Sequence, residues 1–332
     1  MRGSHPLSRR GFLAALVTTT AAVAVGVAAR PAFADTSPAD TRIVKVEEGD
    51  RGVTFYLELQ SAPNPAHPTV IVYVPKHFRC SASKRVAVLV HFHGILSSAE
   101  EAMTGNQLRE QLFDSKQNAI LVVPQGPMHS QDCAFGKLEE QGGLKRMLRE
   151  TLRALGAREA QRALGGSAIA HGARLGLVCL SAHSGGYHGV ASSLARGEVD
   201  VTEVYLFDAL YADTDVFKEW VILGKGRPPR RRHKLVTYFP GSGTTATQSR
   251  YLRHELEKAG VAVAEERAEG TLSRASMTHD EAIFVQTSLS HVDVTWQSNA
   301  LRDCLFASAM PRLMASSWFH DSHAARRIDV RR

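Results

Sequence analysis

The sequence predicts an α/β protein: a mostly parallel central sheet of about eight strands, flanked by helices, with no large cap domain. Two observations predict it. Continuous apolar runs of strand length alternate with helix-length segments, the pattern of strands buried on both faces of a parallel sheet. No stretch between residues 41 and 318 has the composition of a linker, and 44% hydrophobic with 22% charged residues is ordinary for one globular enzyme domain. The expected organisation is a signal over residues 1–34, a single domain over 35–318 and a loose basic tail over 319–332.

The amino-terminal segment stands apart from the core. Arg9 and Arg10 precede Gly11-Phe12-Leu13 and an uncharged run to Ala29, and Ala32-Phe33-Ala34 supplies a cleavage triplet. The paired arginines resemble a twin-arginine export signal. The apolar run is shorter and weaker than the ~20 residues of a stable bilayer span, so a cleaved signal is expected. No later stretch is long enough to cross a bilayer. The mature protein is therefore expected to be periplasmic or extracellular and monomeric, without a stable membrane span. The net charge of +7 includes four arginines of residues 1–34, and without them the chain is close to neutral, which excludes a general nucleic-acid binder. The run Arg227 to Lys234 reads as a solvated loop before a strand, with contact to an anionic envelope as the sharper alternative.

Element by element, residues 41–60 form a hairpin around Gly49-Asp50-Arg51-Gly52. Strands are expected over 69–74, 86–93, 119–123, 175–180, 201–207, 235–239, 261–266 and 282–287. Helices are expected over 98–113, 138–164 with an interruption near Gly156, 185–196, 216–223, 248–259 and 299–314. Cys80, Cys133, Cys179 and Cys304 contain no C-x-x-C pair; Cys179 reads as a buried thiol within a strand, and no bridge is assigned.

The segment that carries chemistry is Leu180-Ser181-Ala182-His183-Ser184-Gly185-Gly186. An apolar strand runs into small-x-Ser-x-small and then into a helix. A serine on so sharp a strand-to-helix turn needs small neighbours two residues to either side, here Ala182 and Gly186, and the turn brings backbone N–H groups beside its hydroxyl. This segment resembles the nucleophile elbow of the α/β-hydrolase superfamily of serine esterases and lipases, with Ala182 replacing the usual first glycine.

The resemblance implies Ser184 as nucleophile and an order of serine, acid, histidine along the chain. His291, after the 282–287 strand, stands where the family places its base; His279 precedes that strand and falls at its wrong end. The position after the 235–239 strand offers Pro240 to Thr245 and no carboxylate. Asp208, at the tip of the preceding strand, is therefore the expected acid, with Asp213 and Asp215 in reserve as alternative acids or helix caps. The oxyanion donors implied are the backbone N–H groups of Gly185 and Ile95, in a loop His93-Gly94-Ile95 that His93 ties down, with His183 and Gly186 supporting the elbow. His91-x-His93 lacks the further ligands a metal needs, so no metal and no cofactor is expected. Only 209–234 separates the Asp208 strand from the next, too little for a lid, and an open cleft is expected with residues 126–142 as its other wall. Trp220 and Trp296 read as packing residues.

The expected function is hydrolysis of a carboxylic ester, small or polymeric, through an acyl-enzyme. Acyl transfer or peptide hydrolysis uses the same triad, and a hydrolase-like binding protein without activity is the alternative of another class.

Overall fold

The computed structural model describes residues 41–165, 169–267 and 270–313; the expected signal and tail lie outside them. The sheet grows from a run of chemically simple strands. β1 (Arg42–Gly49) and β2 (Gly52–Glu58) form the expected hairpin, and β2 pairs antiparallel with β3 (Thr69–Pro75). Then follow β4 (Arg85–Phe92), β5 (Ala119–Pro124), β6 (Arg174–His183), β7 (Val201–Phe207), β8 (Lys234–Phe239), β9 (Val263–Glu266) and β10 (Ala282–Gln286). Their order is β1-β2-β3-β5-β4-β6-β7-β8-β10-β9. All pairs from β5 to β9 are parallel, and β3 meets β5 antiparallel.

Strand alternation sorts the core into two layers. In β4, Val86, Val88, Val90 and Phe92 face one layer, while Ala87 and Leu89 face the other. The first layer is closed by α3 (Gly143–Leu155), α4 (Arg158–Ala163), α5 (Tyr187–Arg196), α6 (Thr214–Gly224) and α7 (Thr244–Lys258). The second is closed by α1 (Ala99–Gly105), α2 (Leu108–Ser115), α8 (Arg274–His279) and α9 (Ala300–Phe306). Crossover helices cover both faces of this mostly parallel sheet, as the sequence predicts, and α6 is the one helix between β7 and β8.

Several expectations are corrected. The sheet has ten strands rather than about eight, because both hairpin strands, β1 and β2, join the eight expected after them. The helix expected over 98–113 is two: Ser98 and Glu101 form a capping box that starts α1, but Gln107 takes φ 51° and breaks the run. The helix expected from residue 138 begins as a 3₁₀ turn, Gly136–Glu139, and becomes α-helical only after Gly142. α7 starts at Thr244, four residues earlier than expected, and α8 was not anticipated.

α9 stops at Phe306, well short of 314. There Lys234 Nζ donates to the Ala307 carbonyl at 3.0 Å, and the Ala309 N–H donates to Glu203 at 2.6 Å. Pro311 has no N–H to give the Ala307 carbonyl in a further helical turn; Lys234 supplies that donor instead, and Glu203 takes the Ala309 N–H.

Parallel pairing of β4, β6, β7, β8 and β10 brings their carboxyl ends to one edge. That edge carries Gly94, Ser184, Asp208 and the segment after Gln286.

Candidate active site

Ser184 follows the last residue of β6 and opens a 3₁₀ turn, Ser184–Gly186, that leads into α5. Its φ is 52°, a left-handed conformation uncommon for a residue with a Cβ. The turn closes at backbone distance. A Cβ on Gly186 would lie 2.4 Å from the Phe92 carbonyl oxygen, and one on Gly94 would lie 2.9 Å from Ser184 Cβ. Ala182 is fully buried beneath. The two small residues flanking the elbow are thus where the sequence put them.

His291 lies in the loop after β10 and bridges two groups. Its Nδ1–H donates to Asp208 Oδ2 at 2.6 Å, which leaves Nε2 to accept the Ser184 hydroxyl at 2.9 Å. Asp208 sits one residue beyond β7 at φ 44°, its N–H donating to the Tyr238 carbonyl at 2.8 Å. Its second carboxylate oxygen accepts the Thr245 hydroxyl. Burial pushes the Asp208 carboxyl up, but the hydrogen bonds from His291 and Thr245 outweigh it and hold the group below its ordinary value. An ionised acid facing Nδ1–H fixes the tautomer that makes Nε2 a base.

His183 holds the base loop to the elbow. Its Nε2–H donates to the His291 carbonyl at 2.7 Å, and the two rings lie 4.6 Å apart. Burial lowers its pKa to about 4, so it is neutral at physiological pH.

His93 organises the facing loop. Its Nδ1–H donates to the Gly94 carbonyl at 2.8 Å, and its Nε2 accepts the Gly126 N–H at 2.9 Å. Because the Gly94–Ile95 peptide is trans, anchoring its carbonyl on His93 turns the Ile95 N–H the opposite way. That way lies the elbow: a Cβ on Gly185 would be 3.4 Å from the Ile95 nitrogen. The Ile95 nitrogen therefore lies against the elbow, next to Gly185.

The reserve acids lie elsewhere. Asp213 accepts from His188 Nδ1 at 2.8 Å, and Asp215 pairs with Lys218 at the surface. His279 closes α8, where its carbonyl accepts from Arg232. His91 is fully buried, with Nδ1 2.9 Å from Ser181 Oγ, and burial lowers its pKa to about 3. Among the described residues, no group of three or more His, Cys, Asp or Glu side chains is arranged to hold a metal ion. The four cysteines are free thiols, and Cys179 is buried.

A cleft of about 880 Å³ opens over Ser184. Its walls come from the loop after β4, from Gln131 and Cys133 of the segment after β5, from Tyr187 and Tyr211, and from residues 291–296. Leu96 and Val292 stand exposed at the cleft. Trp296, half-buried, lines the cleft, and Trp220 packs, stacked on His233 at 4.7 Å. Sequence reasoning missed Thr245, which carries no signal until its contact with Asp208 is seen, and the contributions of Tyr211, Glu101 and Asp293 to the cleft.

No family model matches the sequence, and no curated protein does. Solved structures similar to the chain include an S-formylglutathione hydrolase from Agrobacterium tumefaciens, at 12% identity and a TM-score of 0.43, over 80% of this chain and 98% of that one. A ferulic acid esterase shares 11% identity at a TM-score of 0.46, over 81% and 98%. The feruloyl esterase module of Clostridium thermocellum shares 10% at 0.42, over 87% and 92%. Likeness at this level supports no statement about activity, which rests on the geometry around Ser184.

Proposed function

We propose that the protein is an exported serine hydrolase that cleaves carboxylic esters through an acyl-enzyme. The observation that carries this reading is the His291 imidazole, within hydrogen-bond distance of Ser184 Oγ on one side and Asp208 on the other. A serine hydroxyl is a weak nucleophile until a base takes its proton. In the proposed reaction Ser184 Oγ attacks the ester carbonyl as His291 Nε2 accepts the proton, and Asp208 stabilises the imidazolium. The Ile95 and Gly185 N–H groups receive the developing oxyanion, a contribution on the order of 3–4 kcal/mol per donor. His291 then protonates the departing alkoxide. Water, activated by the same imidazole, releases the acid and restores Ser184.

Export rests on the signal-like residues 1–34; no helix among the described residues is long and apolar enough to cross a membrane. The test is labelling of the folded protein by a fluorophosphonate probe, together with hydrolysis of p-nitrophenyl esters of increasing acyl length. Both are expected for the wild-type chain and neither for Ser184→Ala. A folded wild-type protein that does neither would overturn the reading.

A further inference from the structure

The charge pattern of the cleft bears on which esters enter it. Its lining is largely apolar and aromatic, with Ile95, Leu96, Tyr187, Tyr211, Val292 and Trp296 as the large side chains. Two carboxylates line it, Glu101 and Asp293, and among the described residues no lysine or arginine does. Each carboxylate is fixed by a local donor. Glu101 accepts the Ser98 N–H at 2.9 Å, with His129 Nδ1 at 3.8 Å, and Asp293 accepts the Ser290 hydroxyl at 2.5 Å. A third carboxylate, Asp208, lies behind His291 with its pKa held down.

An anionic group entering such a cleft loses hydration to apolar walls and meets like charges. The usual remedies are a guanidinium, an ammonium or a helix N-terminus. The first two are absent from the lining. Of the helix starts at the cleft, the elbow leading into α5 is committed to the reacting carbonyl oxygen, and the start of α1 is already occupied by the Ser98 and Glu101 side chains.

Resting on the ester-hydrolase reading, we propose that this cleft is a charge filter. It accepts esters that are uncharged or cationic and rejects those that carry a carboxylate or phosphate near the scissile bond. Glu101 and Asp293 set the selectivity without touching the reacting atoms.

Three p-nitrophenyl esters of matched size test this on the purified protein: the hexanoate, the hydrogen adipate and a 6-(trimethylammonio)hexanoate. At low ionic strength kcat/KM for the anionic ester is expected to lie roughly tenfold or more below the neutral one, the order set by one or two like charges at a half-solvated site. The cationic ester is expected to match or exceed the neutral one. Roughly 0.5 M salt narrows the gap by screening. The double variant Glu101→Gln, Asp293→Asn keeps an acceptor for Ser98 and for Ser290, and is expected to narrow the anionic-to-neutral gap several-fold at low salt, with a melting curve to verify folding. Similar rates for all three esters would overturn the filter alone. So would a gap that the folded double variant leaves unchanged, because shape would then account for it. Turnover of none of the three by folded wild-type protein would overturn the ester-hydrolase reading and the filter with it.

Discussion

Gly186→Ala tests whether the elbow is held by packing, and two opposing effects can be weighed for it. Gly186 has φ −61° and ψ −13°, a helical conformation open to alanine. On backbone entropy alone the substitution would stabilise the fold by about 0.5–1 kcal/mol. Sterics oppose this. The new Cβ would stand 2.4 Å from the Phe92 carbonyl oxygen and 2.8 Å from that of His93, and the first must retreat by about 1 Å to reach ordinary contact at 3.4 Å.

Both clashing atoms are backbone, in and just beyond β4, which is pinned between β5 and β6. The 3₁₀ turn must therefore lift instead. Overpacking of this kind costs about 1–3 kcal/mol, so the net change is a destabilisation of about 0–2.5 kcal/mol. The larger effect falls on geometry. Lifting the turn moves Ser184 Oγ off the 2.9 Å bond to His291 and parts the Gly185 and Ile95 N–H groups. A 1 Å misplacement costs on the order of 100-fold in rate.

The assay pairs urea denaturation with kcat/KM on p-nitrophenyl butanoate. Gly105→Ala, where an added Cβ meets nothing within 4 Å, serves as the stability control and is expected to gain a few tenths of a kcal/mol. A Gly186→Ala protein with wild-type stability and kcat/KM within threefold would refute the packing argument.

Asp208→Asn keeps an acceptor for His291 and can donate to Thr245, but removes the charge; kcat is expected to fall about 10³–10⁴-fold, with KM and the melting temperature little changed. An unchanged kcat would remove Asp208 from the mechanism. Acid should weaken the fold before the carboxylates titrate. His91 and His183, with pKa values of about 3 and about 4, stay neutral in the native state. The unfolded chain takes up protons near pH 6.5, so their contribution is complete above that pH and is lost as pH falls towards 4. Roughly 2 kcal/mol is lost between pH 7.5 and 5 for the fully buried His91, and less for His183, which lines the cleft; urea titrations at the two pH values check this, and equal stabilities would contradict it. Lys234→Met leaves Glu203 buried without its cation, 3.9 Å away in the wild type, and is expected to destabilise by about 3–5 kcal/mol without changing kcat per folded molecule. Denaturation together with active-site titration separates the two effects.

The parts of this molecule legible in its sequence are those fixed by local chemistry. Continuous apolar strands specify a buried parallel sheet, and Ala182 and Gly186 around Ser184 mark a turn that larger side chains would block. The resemblance to the α/β-hydrolase superfamily, read with strand position, named Asp208 and His291, which the structure brings together with Ser184. What was not legible depends on distant groups. The end of α9 is an exception, since Pro311 in the sequence already bars a helix to 314; only its partners, Lys234 on the Ala307 carbonyl and Glu203 on the Ala309 N–H, come from other strands. Gln107 breaks a segment whose periodicity alone reads as one helix. Thr245 reaches Asp208 across 37 residues, and Trp296 lines the cleft although its composition suits a core.

His183 links these local and distant parts. It is the last residue of β6, yet it holds the base loop through the His291 carbonyl, and its Nδ1 lies 3.4 Å from where a Gly94 Cβ would stand. One imidazole thus fits between the elbow, the base and the oxyanion loop. Its protonation state matters to the proposed reaction, because His291 becomes a cation in the transition state. A charged ring 4.6 Å away would oppose that cation and offset part of what Asp208 contributes. Burial removes the conflict by keeping His183 neutral at any pH well above about 4. A neutral imidazole still has the N–H that pins the loop, so the elbow gains its tie without a competing charge.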